Sequence, residues 1–237
     1  MPENAGSQQT KSLLKDAGIS KSFDVVKSQI ETESGKKDFL ITLGDLTEAD
    51  VDAIVCPANP GFEYAGFGGI QVAIASKSSM ETFNEAEKKA KELIKSGKGV
   101  KSSDGELVGV PTGFAAATTS GKLERIKSII HVNNMREDKK PTCDEGVVRQ
   151  CTTSVMAEAD RIGMKSVAFP AIGTGVWGVS LVDSLKGVVE GVRDYYNATP
   201  ASKISKVNYV VYSQPTMKNA GEMQKVFFND VLQKLKK

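Results

Sequence analysis

Histidine occurs once in this 237-residue chain, tryptophan once and cysteine three times. A single histidine and the lack of any C-x-x-C spacing exclude the usual zinc frameworks, so neither a metal nor another cofactor is expected. Cys56, Cys143 and Cys151 cannot all pair within the chain, and reduced thiols in a cytoplasmic setting are the simpler expectation. No apolar run is long enough to span a bilayer, and the first residues lack the apolar stretch of a signal peptide, so no membrane partner is expected. An excess of charge is missing too, with 31 Lys and Arg against 29 Asp and Glu. Nucleic-acid binding, which favours a strongly basic face, is disfavoured on that ground. Any anion must then be held by local geometry, in a loop or at a helix N-terminus.

What is present is a soluble globular composition, 40% hydrophobic and 25% charged, in a length that suits one large domain. Residues 1–20 are polar and read as a leader or accessory segment, leaving residues 21–237 for the domain. Strand patterns over residues 23–30 and 39–43 flank a turn and read as a hairpin. Val51-Asp52-Ala53-Ile54-Val55-Cys56 suits a buried strand that ends at the turn formers from Pro57 onward. The spacing then predicts one helix over 70–96, a loop over 97–105, strands over 107–117 and 126–132, and a helix over 144–162. A buried strand over 166–170, a helix over 180–196, a strand over 207–212 and an amphipathic helix over 220–235 complete the chain. Strands alternating with helices imply an α/β fold with a largely parallel sheet covered on both faces. Ligands of such sheets bind outside the carboxyl ends of the strands, where Asp45, Asn59, the loop from Gly173 and Tyr212 all fall.

Gly173-Thr174-Gly175-Val176-Trp177-Gly178 lies between a predicted strand and a predicted helix. Glycines let backbone N–H groups converge closely on phosphate oxygens, and the helix behind turns its positive end to the same anion. Thr174 is placed to add a hydroxyl donor. The ordinary alternative is a tight strand-to-helix turn without a ligand. The loop fits G-x-G-x-x-G, yet a dinucleotide-binding dehydrogenase would carry it after the first strand, with an acidic residue about 20 positions on at a strand end. Here it comes late, and Glu190 and Asp194 fall inside a helix. Phosphate binding survives that comparison and the dehydrogenase does not.

Three separated segments resemble the macro domains, a family that binds and processes ADP-ribose. Gly44-Asp45-Leu46-Thr47 with Val51-Asp52-Ala53-Ile54-Val55 is similar to G-D-I-T…V-D-A-I-V. Ala58-Asn59 with Gly68-Gly69-Ile70 is similar to A-A-N…G-G-G-V, and residues 168–178 resemble F-P-A-I-S-T-G-I-Y-G. The resemblance implies a three-layer α/β/α fold around a mixed, largely parallel sheet. It implies ADP-ribose, or an ADP-ribosylated protein, as the partner. By it, Asp45 next to Leu46 accepts from the adenine amino group and Tyr212 stacks on adenine. Residues Gly173, Thr174, Gly175 and Val176, closed by Gly178, hold the diphosphate. Asn59, Gly68, Gly69 and Ile70 surround the distal ribose, and Trp177 covers it. Each has an ordinary reading as well: Asp45 as the cap of its turn, Asn59 as a turn residue, Trp177 and Tyr212 as core aromatics.

The family also contains ADP-ribosyl hydrolases, which act on ADP-ribosylated protein, O-acetyl-ADP-ribose or ADP-ribose 1″-phosphate. The aspartate that commonly follows G-G-G-V is replaced here by Gln71, a neutral group and no general base. Phe67 replaces the first glycine, and Ile129-Ile130-His131-Val132 continues as Asn133-Asn134 without the family's G-P. Binding is thus the primary expectation and hydrolysis the alternative. No catalytic residue is assigned, Asn59 being the best candidate. His131 reads as a structural histidine inside an apolar strand.

Overall fold

A computed structural model describes residues 24–33, 35–66, 69–101, 105, 107–136 and 142–212. The expected leader over 1–20 and the expected helix over 220–235 lie outside these residues, as does Gly68. The elements in chain order are β1 (Asp24–Thr32), β2 (Gly35–Gly44), a 3-10 turn (Leu46–Glu48), β3 (Ala53–Ala58), α1 (Gly69–Lys77) and α2 (Met80–Leu93). A wide turn (Ile94–Lys98), β4 (Val100–Lys101), β5 (Leu107–Gly109), β6 (Ala115–Thr119) and β7 (Ser128–Asn133) follow. The chain continues through α3 (Glu145–Arg161), β8 (Ser166–Pro170), α4 (Leu181–Ala198) and β9 (Lys206–Tyr212). Among these elements no helix is long and apolar enough to cross a membrane.

Seven strands form one sheet in the order β1-β2-β9-β8-β3-β7-β6. The five inner strands are parallel, and only the outermost pairs, β1 with β2 and β6 with β7, are antiparallel. The inner strands are apolar on both faces, as a sheet covered on both sides requires. Along β3, Ala53 and Val55 pack towards α3 and α4, while Ile54 and Cys56 pack towards α1 and the 3-10 turn. Phe83 joins that second cluster from α2. The result is the expected three-layer α/β/α architecture.

Three expectations need correction. The helix expected over 70–96 is two helices, because Ser78 and Ser79 interrupt it: Ser79 stands in extended conformation ahead of α2, and its carbonyl accepts from Thr82 Oγ1 at 2.8 Å. The Thr82 hydroxyl thereby gives the Ser79 carbonyl a partner other than a helical N–H. The strand expected over 107–117 is two strands, broken between Pro111 and Gly113, whose φ of 77° no β-branched residue adopts cheaply. Conversely, β3 runs through Pro57 to Ala58 instead of stopping before it. The β3–β8 ladder ends at Ile54, and the Pro57 carbonyl accepts from Gln71 Nε2 at 3.2 Å, so that side of Pro57 owes the sheet no N–H.

The outer edge of β6 is closed by side chains. Ala117 N–H donates to Glu158 Oε1 at 2.9 Å, the Ala117 carbonyl accepts from Lys89 Nζ, and Thr119 N–H donates to Glu85 Oε2 at 3.0 Å. Glu85 and Lys89 of α2 and Glu158 of α3 thereby satisfy an edge that would otherwise pair with another strand. On the far face, α3 and α4 approach closely because Gly187 and Gly191 line their contact. A Cβ at Gly191 would stand 2.6 Å from the Arg149 carbonyl oxygen and 2.6 Å from Thr152 Cβ.

His131 is fully buried in β7, its ring edge-on to Phe83 with centroids 5.3 Å apart. Nε2 lies 3.3 Å from Thr118 Oγ1, and Nδ1 has no hydrogen-bond partner among the described residues. Burial pushes its pKa down to about 3. This is the structural role expected from the sequence.

Two measurements check this packing. Gly191→Ala gains about 1 kcal/mol of helix propensity but sets a methyl against backbone that cannot swing aside, which costs about 1–3 kcal/mol. A net loss of stability in urea is expected, and a gain would disprove the close contact. The second concerns His131: the unfolded chain takes up a proton near pH 6.5, whereas the folded chain resists until about pH 3. Stability present above pH 6.5 is therefore lost as the pH falls, at about 1.4 kcal/mol per unit. Between pH 6.5 and 5, wild type should lose about 2 kcal/mol that His131→Phe does not lose; parallel curves would mean the histidine is not held neutral.

Candidate ligand-binding site

The inner strands all end on one rim, in the order β2, β9, β8, β3, β7. Asp45 follows β2, Tyr212 ends β9, residues 171–179 follow β8, and Asn59 follows β3. Strands lie about 4.8 Å apart, so β2 to β3 spans roughly 14 Å along the rim. Gly44 pairs with Tyr212, which seats the tyrosine beside the residue preceding Asp45, and its side chain is 46% exposed.

The glycine loop is closed across its base by Val179 N–H to the Gly173 carbonyl at 3.0 Å and Gly178 N–H to the Gly175 carbonyl at 3.1 Å. Gly173 has φ 81°, and a Cβ there would stand 2.7 Å from Val179 Cγ2 and 2.9 Å from Cys143 Sγ, so only glycine fits. Gly175 is the opposite case: its backbone is ordinary and nothing lies within 4 Å of an added Cβ. The amides of Gly175, Val176 and Trp177 have no acceptor among the described residues, and Val176 is 93% exposed. An exposed turn with unspent N–H groups is what an anion-binding nest needs.

Two expected contributions to that nest are spent elsewhere. The Thr174 hydroxyl donates to the Ala171 carbonyl at 2.8 Å. The first turn of α4 is capped by Ser180, whose Oγ accepts from Asp183 N–H at 3.0 Å and donates to Asp183 Oδ2 at 2.7 Å. The carboxylate of Asp183 meets the helix's positive end itself.

Asn59 ties its own loop together: Oδ1 accepts from Gly61 N–H at 3.0 Å and Glu63 N–H at 3.1 Å, while Nδ2 donates to the Glu63 carbonyl at 3.0 Å. The loop it holds is tight, with buried Phe62 at φ 55°. Gly69 opens α1 at φ 69°, and Ile70 packs partly into the core beside Leu46, which is buried. Trp177 is partly buried and packs on the α3–α4 side of the core. Gln71 spends its amide N–H on the Pro57 carbonyl.

At the other end of the rim, Asp45 caps the 3-10 turn, its Oδ1 accepting from Thr47 N–H at 2.9 Å and Thr47 Oγ1 at 2.6 Å. Oδ2 faces Lys77 Nζ at 3.1 Å, and the same ammonium reaches Glu48 Oε1 at 2.6 Å. Burial works to raise the Asp45 pKa, but the hydrogen bonds from Thr47 and Lys77 outweigh it and hold the carboxyl below its ordinary value. Lys77 was not legible in the sequence. It lies 32 residues from Asp45 and reads there as one more solvated helix residue.

The rim thus gathers Asp45, Tyr212, the loop from Gly173 and Asn59, with Gly69 and Ile70 at the start of α1. The surface also carries a dip of about 380 Å³ over α2, but it is lined by charged and polar side chains around that one helix and no strand end reaches it.

Comparison with known proteins identifies the family. The macro domain family model matches residues 55–187, more than half of the chain. A macro domain-containing protein of Streptomyces coelicolor is 31% identical over 174 residues, covering 71% of this chain and 88% of that one. An uncharacterised protein of Aquifex aeolicus is 34% identical over 158 residues, covering 67% and 82%. Among solved structures, a variant of the Oceanobacillus iheyensis macrodomain with ADPR superposes with a TM-score of 0.62 at 18% identity, over 86% of this chain and 99% of that one. The Trypanosoma brucei macrodomain in complex with ADP-ribose gives a TM-score of 0.54 at 19% identity, over 78% and 68%. The structures share the fold, and the sequence relatives carry the kinship: the chain belongs to the macro domain family.

Proposed function

We propose that this protein binds ADP-ribose, free or attached to a protein, across the carboxyl rim of its sheet. The observation that carries the reading is the exposed Gly175–Trp177 turn, whose three amides have no acceptor among the described residues. Placed between Tyr212 and Asn59, it is the natural seat for a diphosphate. Adenine then lies towards Asp45 and Tyr212, and the distal ribose lies towards Asn59, Gly69, Ile70 and Trp177. The domain is proposed to extend over residues 21–237, with a cytoplasmic location. The solved relatives with ADPR and ADP-ribose support the choice of ligand.

Binding is favoured over turnover by what surrounds the distal ribose. Gln71 is a neutral amide that donates one N–H to the Pro57 carbonyl, and both ends of the Asn59 amide serve its loop. Neither is a free base for activating water.

Gly175→Glu tests the reading, since the open space above it admits a side chain without a clash. Calorimetry with ADP-ribose should show at least about a 100-fold loss of affinity, because a carboxylate meets the diphosphate and blocks its amides. The melting temperature should stay within about 2 °C, as expected for a surface substitution. Full affinity in this variant would remove the diphosphate from the loop. Incubation of wild type with a mono-ADP-ribosylated protein should leave the modification in place. Release of free ADP-ribose that disappears in Asn59→Ala would move the assignment to a hydrolase.

A further inference from the structure

α2 climbs along β6 to the rim that carries the candidate site. Its lower part meets the end of β6 away from the rim, where Glu85 accepts from Thr119 N–H, and Lys89 one turn later reaches the Ala117 carbonyl. Since β6 is antiparallel to β7, the climb ends level with the carboxyl end of β3. There Ala86 and Ala90 share a buried cluster with Ala58 and Phe62, and Leu93 packs against it. The wide turn that follows is fixed to the Asn59 loop through backbone. A Cβ at Gly99 would stand 2.9 Å from the Gly109 carbonyl oxygen, and one at Gly109 would clash with the Pro60 ring. Val110 N–H donates to the Pro60 carbonyl at 2.8 Å. The end of α2 and its turn therefore stand against the distal end of the rim.

This corner is basic. From Lys88 to Lys101 the chain carries six lysines against a single acidic residue, Glu92. Lys89 is taken up by Glu85 and the Ala117 carbonyl, and Lys91 by Glu87. Lys88, Lys95 and Lys98 are exposed and have no ion pair among the described residues. Lys88 and Lys95 border the dip over α2, and Lys98 continues the line past Gly97, which turns the chain at φ 78°. The negative end of a helix favours cations in its last turn, which accounts for Lys95. It does not account for Lys88, further back on the helix, or for Lys98, beyond Gly97.

ADP-ribose is joined to a protein through the anomeric carbon of its distal ribose, so a carrier chain leaves the rim at the Asn59 end, beside these lysines. We propose that the face made by Lys88, Lys95 and Lys98 docks an acidic stretch of the polypeptide that carries the ADP-ribose. The protein thereby selects chains with glutamate or aspartate around the modified residue. The inference rests on the proposed binding mode, because it requires the distal ribose at the Asn59 end. An acidic polypeptide is favoured over a nucleic acid by residue type. Residues 84–101 hold no arginine and no aromatic, the side chains that grip phosphate bidentately and stack on bases.

The test is calorimetry on the full chain with three ligands. These are free ADP-ribose, a peptide with an ADP-ribosylated serine flanked by glutamates, and the same peptide flanked by glutamines. At low salt, about 0.05 M, the glutamate peptide should bind about 10-fold tighter than the glutamine peptide, the sum of several exposed charge contacts. At about 0.5 M salt the two should come within about 2-fold, because exposed charges are screened. Lys88→Gln/Lys95→Gln/Lys98→Gln should abolish the difference and leave free ADP-ribose within about 2-fold of wild type. Lys95→Glu/Lys98→Glu should reverse the order of the peptides. Equal affinity for the two peptides in wild type, or a difference that survives in the glutamine variant, overturns the docking face. The proposed function then still stands if free ADP-ribose binds. Failure of all three ligands to bind overturns both readings together. Tight binding of single-stranded RNA at about 0.15 M salt that the glutamine variant loses would give the face to nucleic acid and overturn the inference.

Discussion

The pairing of β8 with β9 on one side and β3 on the other is the constraint that the rest of the molecule obeys. Pro170 in register with Val210 and Ala168 opposite Ile54 fix where β8 ends relative to its neighbours. That end point decides the height of the glycine loop above the rim, and the parallel sense of the five inner strands brings Asp45, Tyr212 and Asn59 up to meet it. Side-chain alternation locks this register, since a slip of one residue would turn Phe169 and Val167 from the α3–α4 core to the opposite face. The helices, the turn at Asp45 and the loop at Asn59 are arranged around a ladder that cannot slide.

Within the glycine loop the glycines have different physical jobs. Gly173 is required by crowding below, where Val179 and the Cys143 sulfur leave no room for a methyl group. Gly175 has open space around it and is not demanded by packing. Crowding under one position and openness at another produce a turn that is rigid at its root and accessible at its tip.

Much of this was legible in the sequence, and the reasons are specific. The inner strands are short apolar runs bounded by turn formers, α3 and α4 start at Asp144 and Ser180 with side-chain caps, and the glycine loop has an unmistakable composition. Local chemistry wrote these elements, so reading them locally succeeds. What escaped was decided by tertiary contact. The break at Ser78 and Ser79 lies inside a continuous helical pattern, and Pro57 stays in β3 because a helix side chain, Gln71, meets its carbonyl. Lys77 reaches Asp45 only after α1 has docked on the 3-10 turn through Ile74 and Leu46. The spent hydroxyl of Thr174 and the self-capped Asn59 loop belong to the same class, since their hydrogen bonds depend on geometry that composition does not carry.

All three cysteines are buried, and burial pushes the thiols of Cys56 and Cys143 up to about 12 and about 11 and raises that of Cys151 as well. Thiolate, the form that reacts with maleimides and iodoacetamides, is therefore scarce at neutral pH and shielded where it occurs. For a fluorescence spectroscopist the native protein is already a blank background. One cysteine installed at an exposed position beside the loop, Val176 for instance, would take a dye on that atom alone, with no need to strip out the native thiols first.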